Sequence, residues 1–208
     1  MKQKLFYILV PAAVLLGAFV YLWISGAQDA AQVEQKVVRF HVVGASDDAS
    51  DQALKLKVRD GLFEQIRLLF TPCTDPADAL ETARESAPLL KEQAEQILRR
   101  EGCEESVTVE VGERFFPTKV YGNLSFPAGN YQAVSIRIGA AKGENFWCVL
   151  YPALCLSPAV AAEGAEREMA AVVGEEQTAF LEKSAPTLRL KFALAEWWGY
   201  FVNFLKKL

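Results

Sequence analysis

The sequence predicts an α+β fold, a mainly antiparallel sheet with helices packed on one face, preceded by one apolar N-terminal helix. Three features carry that expectation. Residues 5–24 form an uninterrupted apolar run, residues 52–70 repeat hydrophobics about every four positions, and from Ser106 the period drops to two. A strand, then helices, then strands is the order of a sheet with helices on one face.

The apolar run, LFYILVPAAVLLGAFVYLWI from Leu5 to Ile24, holds twenty residues and no charge. As a helix it spans the ~30 Å hydrocarbon core of a bilayer. Lys2 and Lys4 precede it, whereas Asp29 and Glu34 come before the next lysine, Lys36. That asymmetry places the N-terminus in the cytoplasm and exports the chain beyond Gly26. Residues 1–27 are either a signal-anchor helix or a signal peptide cut after Ser25-Gly26-Ala27. The product is then membrane-anchored or secreted. Residues 28–36 are polar and predict a linker, and residues 37–208 predict a single domain.

Val37 to Val43 is rich in β-branched residues and predicts a strand ended by Gly44. Leu54, Val58, Leu62 and Ile66 share one face of a helix, and Asp51, Lys55 and Arg59 share another. Thr71-Pro72 stops this helix. Asp75-Pro76 starts a short helix to about Glu85, and Ser86 caps a second one that Gly102 ends. Val107, Val109 and Val111 alternate with polar residues. Residues 119–126 and 131–138 predict an antiparallel hairpin around Pro127-Ala128-Gly129-Asn130. Residues 146–151 are one further apolar strand. The Ala/Glu-rich segment 159–185 predicts some helix and mobility. Residues 188–207 form an amphipathic helix with Leu190, Leu194, Trp197, Phe201, Leu205 and Leu208 on one stripe. That stripe either docks on the core, the favoured reading, or lies in a membrane interface with Trp197, Trp198 and Tyr200 at headgroup level.

The 208 residues carry a net charge of −4, and no Lys/Arg run exceeds a pair. A nucleic-acid partner needs a concentrated basic face and is not expected. The single histidine, His41, excludes an HExxH zinc site. There is no G-x-S-x-G elbow and no glycine-rich nucleotide cradle. The residues thus predict neither cofactor nor metal, and a protein that is not an enzyme. A carboxylate-dependent exported hydrolase and an envelope-binding module are the alternatives. Cys148 and Cys155 flank Tyr151-Pro152-Ala153 and are a candidate disulfide, with buried free thiols as the alternative. Cys73 and Cys103 would pair only across a helical hairpin.

Three blocks together resemble a known family. They are VRFHVVGASD (38–47) with DQALKLKVRD (51–60), FPTKVYG (116–122) with FPAGNY (126–131), and GENFWCVLYPALC (143–155). In order and spacing they are similar to the stage II sporulation protein R family of endospore-forming bacteria, across residues 37–155. This chain departs from the family at Ala45, where members often carry Asn. The resemblance implies a forespore protein exported into the space between forespore and mother-cell membranes. There it would activate a membrane-embedded aspartic protease, the pro-sigma-E processing peptidase. The expected partner-binding surface lies near the first strand–helix loop: His41, Ser46, Asp47, Asp51, Lys55 and Arg59, with Tyr121 and Trp147. The plainer reading of Asp47 and Asp51 is that they cap the helix.

Overall fold

The computed structural model describes residues 2–152, 164–183 and 186–206. The chain opens with α1 (Lys2–Lys36), then β1 (Val38–Val43), α2 (Ala49–Phe70) and α3 (Pro76–Arg100). Next come β2 (Val107–Phe116), β3 (Lys119–Tyr121), β4 (Leu124–Phe126), β5 (Gly129–Ile138) and β6 (Asn145–Tyr151). It closes with α4 (Gly164–Val173), α5 (Glu175–Glu182) and α6 (Pro186–Leu205).

The main sheet has the order β2-β5-β1-β6. β1 runs parallel to β5, while the β1–β6 and β2–β5 pairs are antiparallel. The expected α+β class, with its mainly antiparallel sheet and apolar N-terminal helix, is therefore present. One predicted pairing is not. Residues 119–126 do not form a hairpin with 131–138. They fold on themselves as β3 and β4 around Gly122-Asn123, and β5 pairs with β2 and β1 instead. Gly122 takes φ +58°, which a glycine adopts without strain, and this lets the chain turn ahead of Pro127.

Helices cover both faces of the sheet. On one face Phe40, Val42, Val134 and Ile136 pack against Val58, Leu62 and Ile66 of α2 and Leu90 and Leu98 of α3. On the other, Phe116, Tyr131, Ala133 and Val149 meet Val33 of α1 and residues of α4, α5 and α6. The strand alternation assigns these faces, because successive side chains point to opposite sides.

Three segments differ from their expected form. The two helices predicted over 76–101 are one helix, α3, which runs through Pro88. Ser86 does not cap a new helix; its hydroxyl donates back to the Thr82 carbonyl at 2.6 Å. Asp75 caps the start through the Ala77 and Asp78 amides. Gly102, at φ +75°, ends the helix, with Gly102 N–H on the Arg99 carbonyl and Cys103 N–H on that of Leu98. The Ala/Glu-rich segment is not loose where it is described: α4 and α5 bury Met169, Val173, Phe180 and Leu181 in the second core. Residues 159–163, 184 and 185, and Leu208 of the C-terminal stripe, lie outside the described residues.

Residues 28–36, expected as a linker, are the last turns of α1. Asp29, Ala30 and Val33 of these turns are buried, and Lys36 Nζ donates to the Val173 carbonyl at 2.8 Å. Sequence polarity concealed this, because only one stripe of these turns is apolar. Val33 has no exposed surface, so Val33→Asp would bury an unpaired carboxylate at a cost of at least ~2 kcal/mol. Thermal unfolding of the full chain in detergent micelles should show a clearly lowered midpoint. A true linker would tolerate the change.

Candidate functional site

The predicted surface residues fall into two groups on opposite sides of β1 and β6. The first is a rim where the β1–α2 loop meets the β5–β6 loop. Two backbone bonds join the loops, Gly143 N–H to Gly44 O and Lys142 N–H to Ala45 O, both at 3.1 Å. Side chains complete the join. Asp47 accepts the Glu144 amide at 2.7 Å, and Lys55 Nζ donates to the Glu144 carbonyl at 3.0 Å and to Gln52 Oε1. Gln52 Nε2 donates to the Ser46 carbonyl at 2.6 Å, and Ser46 Oγ to Asp51 at 2.7 Å. Gly143 is required at this junction, since a Cβ there would sit 2.1 Å from the Ser46 carbonyl oxygen.

This geometry corrects the capping reading. The N-cap of α2 is Asp48, whose side chain makes no capping bond; Asp47 bridges to the β5–β6 loop instead, and Asp51, in the first turn of α2, accepts from Ser46 of the loop just before it. Nor does Lys55 act as a surface partner of Asp51. Lys55 is 5% exposed and spends its protons on Gln52 and Glu144. Burial pulls its ammonium below the ordinary lysine range, and the negative Glu144 and Asp47 pull it back up. Ser46, Asp51 and Lys55 thus hold the rim together. Arg59 lies beside them, over the Phe146 ring at 4.9 Å and paired with Asp60 at 2.7 Å. Outward from this frame stand Asp48, Leu56, Lys57, Asp60 and the Glu144 side chain, all exposed.

The second group is internal. His41 is buried, its ring stacked on Trp147 at 4.0 Å and its Nε2 2.6 Å from Asn145 Oδ1. Since the Asn145 oxygen only accepts, Nε2 carries the proton, and Ser135 Oγ lies 3.5 Å from Nδ1. Burial, helped by Arg114 and Arg137, holds the imidazole down at about 4, against the Asn145 bond that raises it. His41 is therefore neutral near pH 7.

Next to it on β1 is Arg39, the largest fully buried side chain and one that sequence reasoning did not single out. Its Nε donates to the Cys148 carbonyl and its Nη2 to the Tyr121 hydroxyl, both at 3.0 Å. Tyr121 in turn donates to the Trp147 carbonyl at 3.0 Å. The guanidinium carbon lies 4.6–5.6 Å from the ring centroids of Phe116, Tyr121, Phe126 and Tyr131. Burial raises the Tyr121 and Tyr131 hydroxyls above the usual phenol range, and the Arg39 cation partly offsets it. Tyr121 and Trp147 thus belong to the interior of the domain. The available signal was a cation in an otherwise apolar strand, followed downstream by an excess of aromatic residues.

Cys73 and Cys103 are free thiols. Cys148 is buried in β6, and Cys155, its candidate partner, lies outside the described residues. Among the described residues no cluster of three His, Cys, Asp or Glu side chains is arranged to hold a metal.

Arg39→Ala would empty a caged cavity and strip two acceptors of their donor, costing ~3 kcal/mol or more. Urea unfolding in micelles would measure it. His41 gives a pH signature. The unfolded chain takes up this proton as pH falls below ~6.5, and the folded chain does so only near 4. Its contribution to stability is full above that window and is lost as pH falls through it. Between pH 7 and 4.5 the loss is on the order of 2 kcal/mol. His41→Phe, which keeps the stacking and does not titrate, should flatten that part of the profile.

Comparison with known proteins bears on the whole arrangement. The family model for stage II sporulation protein R matches residues 34–161. The stage II sporulation protein R of Bacillus subtilis (strain 168) is 32% identical over 156 residues, covering 68% of this chain and 70% of that protein. No solved structure matches.

Proposed function

Because this chain belongs to the stage II sporulation protein R family, we propose that it is an exported signal made in the forespore. In this reading it activates a membrane-embedded aspartic protease of the mother cell, which then processes pro-sigma-E. The chain supplies a ligand surface, and the proteolytic chemistry belongs to the partner.

The observation that carries this reading is the placement of the polar rim. α1 ends at Lys36, and β1 leads away from it to the rim at Gly44. At ~3.3 Å per residue the strand puts roughly 20 Å between the end of α1 and the rim. A domain delivered or tethered through α1 thus offers its opposite end to a partner. That end is ordered by cross-loop bonds before any partner arrives, which limits the ordering cost of association. Its exposed side chains, Asp48, Leu56, Lys57 and Asp60 around Arg59, mix charges of both signs with one apolar residue. Such a surface suits a specific polar contact with another protein.

Lys55 is a poor probe of this surface, because reversing its charge would break the frame beneath. Arg59→Glu combined with Asp60→Lys inverts the outer face and leaves the loop-bridging bonds in place. Co-expression with the protease and pro-sigma-E should give processing with the native chain. The double variant should lose most of that processing while its melting temperature stays close to native. Undiminished processing by a folded, exported variant would remove this surface from the proposal. Absence of processing with the native chain would remove the function itself.

A further inference from the structure

α6 is amphipathic, and its two sides meet different parts of α1. One side faces the domain. Phe192 and Ala195 are buried in the same cluster as Ala30 and Val33, and Lys191 pairs with Asp29 at 3.3 Å. Thr118 Oγ1 donates to Glu196 at 2.6 Å, and Lys206 pairs with Glu113 of β2 at 3.0 Å. Gly199 passes so close to β5 that a Cβ would lie 2.0 Å from the Ala128 carbonyl oxygen. All these contacts fall on the domain or on α1 beyond Gly26.

The other side of α6 meets α1 before Gly26. Trp197 and Trp198 pack edge-on against Trp23, with centroids 6.2 and 5.5 Å away. Gly26 marks the crossing point, where a Cβ would sit 2.4 Å from the Lys191 carbonyl oxygen. This outer side is apolar and open: Trp197 is 58% and Phe204 59% exposed, with Leu190, Trp198, Phe201 and Leu205 exposed around them. Of the predicted stripe, Leu190, Trp197, Phe201 and Leu205 therefore lie on the uncovered side, and the docked side runs through Phe192 and Ala195. Water contact over so large an apolar surface is unfavourable.

Continuity with α1 identifies what covers it. Leu9–Lys36 has the length and mean hydropathy (2.0) of a membrane span, and its apolar window is almost wholly uncovered by the rest of the chain. Ile24 and Tyr21 are exposed beside Trp23, so the bare face of α6 continues directly into the bare surface of the span. An apolar cleft lined by Val20, Trp23, Ile24, Ala27 and Trp198 joins the two. Trp and Tyr favour the depth at which hydrocarbon gives way to headgroups, the depth Trp23 reaches near the end of the run.

We propose that α6 is an interfacial helix, lying along the bilayer where α1 leaves it, with Trp197, Trp198, Phe201 and Phe204 inserted among the lipids. Its domain side fixes the rest of the molecule to that helix, so the domain is held in one orientation on the membrane. This does not depend on the signalling role.

The test uses the full chain in vesicles of phosphatidylethanolamine and phosphatidylglycerol. Tryptophan emission is compared between the native chain and a Trp197→Phe, Trp198→Phe variant, so that the difference belongs to those two residues. The difference emission should be blue-shifted, should lose most of its intensity when the lipids carry brominated acyl chains, and should be spared by aqueous iodide. Phe201→Glu with Phe204→Glu, both on the open side, should shift it red and open it to iodide without changing the melting temperature. Difference emission quenched by iodide and not by bromolipid would place α6 in water and overturn the proposal. Resistance to both quenchers would mean that protein, such as a second copy of this chain, covers the face, and would overturn it equally.

Discussion

One buried cation organises the domain. Arg39 extends from β1 and touches every other strand: Phe116 of β2, Tyr121 of β3, Phe126 of β4, Tyr131 of β5 and the Cys148 carbonyl of β6. No carboxylate pairs with it among the salt bridges of the described residues. Removing a guanidinium from water costs several kcal/mol. That cost is offset by two hydrogen bonds to oxygen and by four ring faces, each worth ~0.5–2 kcal/mol to a desolvated cation. One nitrogen, Nη1, finds no hydrogen-bond partner among the described residues. Such an arrangement is directional, so it specifies strand placement more sharply than apolar packing would. It also explains why β3 and β4 fold over the sheet: Tyr121 closes the cage and reaches on to the Trp147 carbonyl.

The rim depends on this arrangement at one remove. β6 is held against β1 by backbone pairing and by Arg39, and β6 begins at Asn145, next to Glu144. Asn145 fixes His41, while Glu144 accepts from Lys55 at its carbonyl and donates its amide to Asp47, so interior and rim share two neighbouring residues. Polar side chains that look surplus in the sequence are the fasteners of two loops. The surface left for a partner is the layer outside them.

At the opposite end, α1 belongs to two environments. Its first part is a bare apolar cylinder, and its last turns are part of the second core through Ala30 and Val33. The buried Asp29–Lys191 pair and the close approach at Gly26 lie at the boundary. The last turns of α1 and the domain therefore share one core.

The sequence alone determined what depends on local pattern. The apolar run at 5–24, the α2 period, the Asp75 cap, the Gly102 stop and the alternation in β2 are each written within a few residues, because they reflect helix and strand geometry. The family was also legible, since three blocks in fixed order are more specific than composition. Only the tertiary structure decided the rest. Whether residues 119–126 pair with β5 or with each other depends on competition among strands that no local window contains. Whether Asp47 and Lys55 face a partner or a neighbouring loop depends on Glu144, some ninety positions further along the chain. The docked side of α6 was misread because its exposed side is the more hydrophobic one. That inverts the usual rule, by which the more apolar side of an amphipathic helix faces the core.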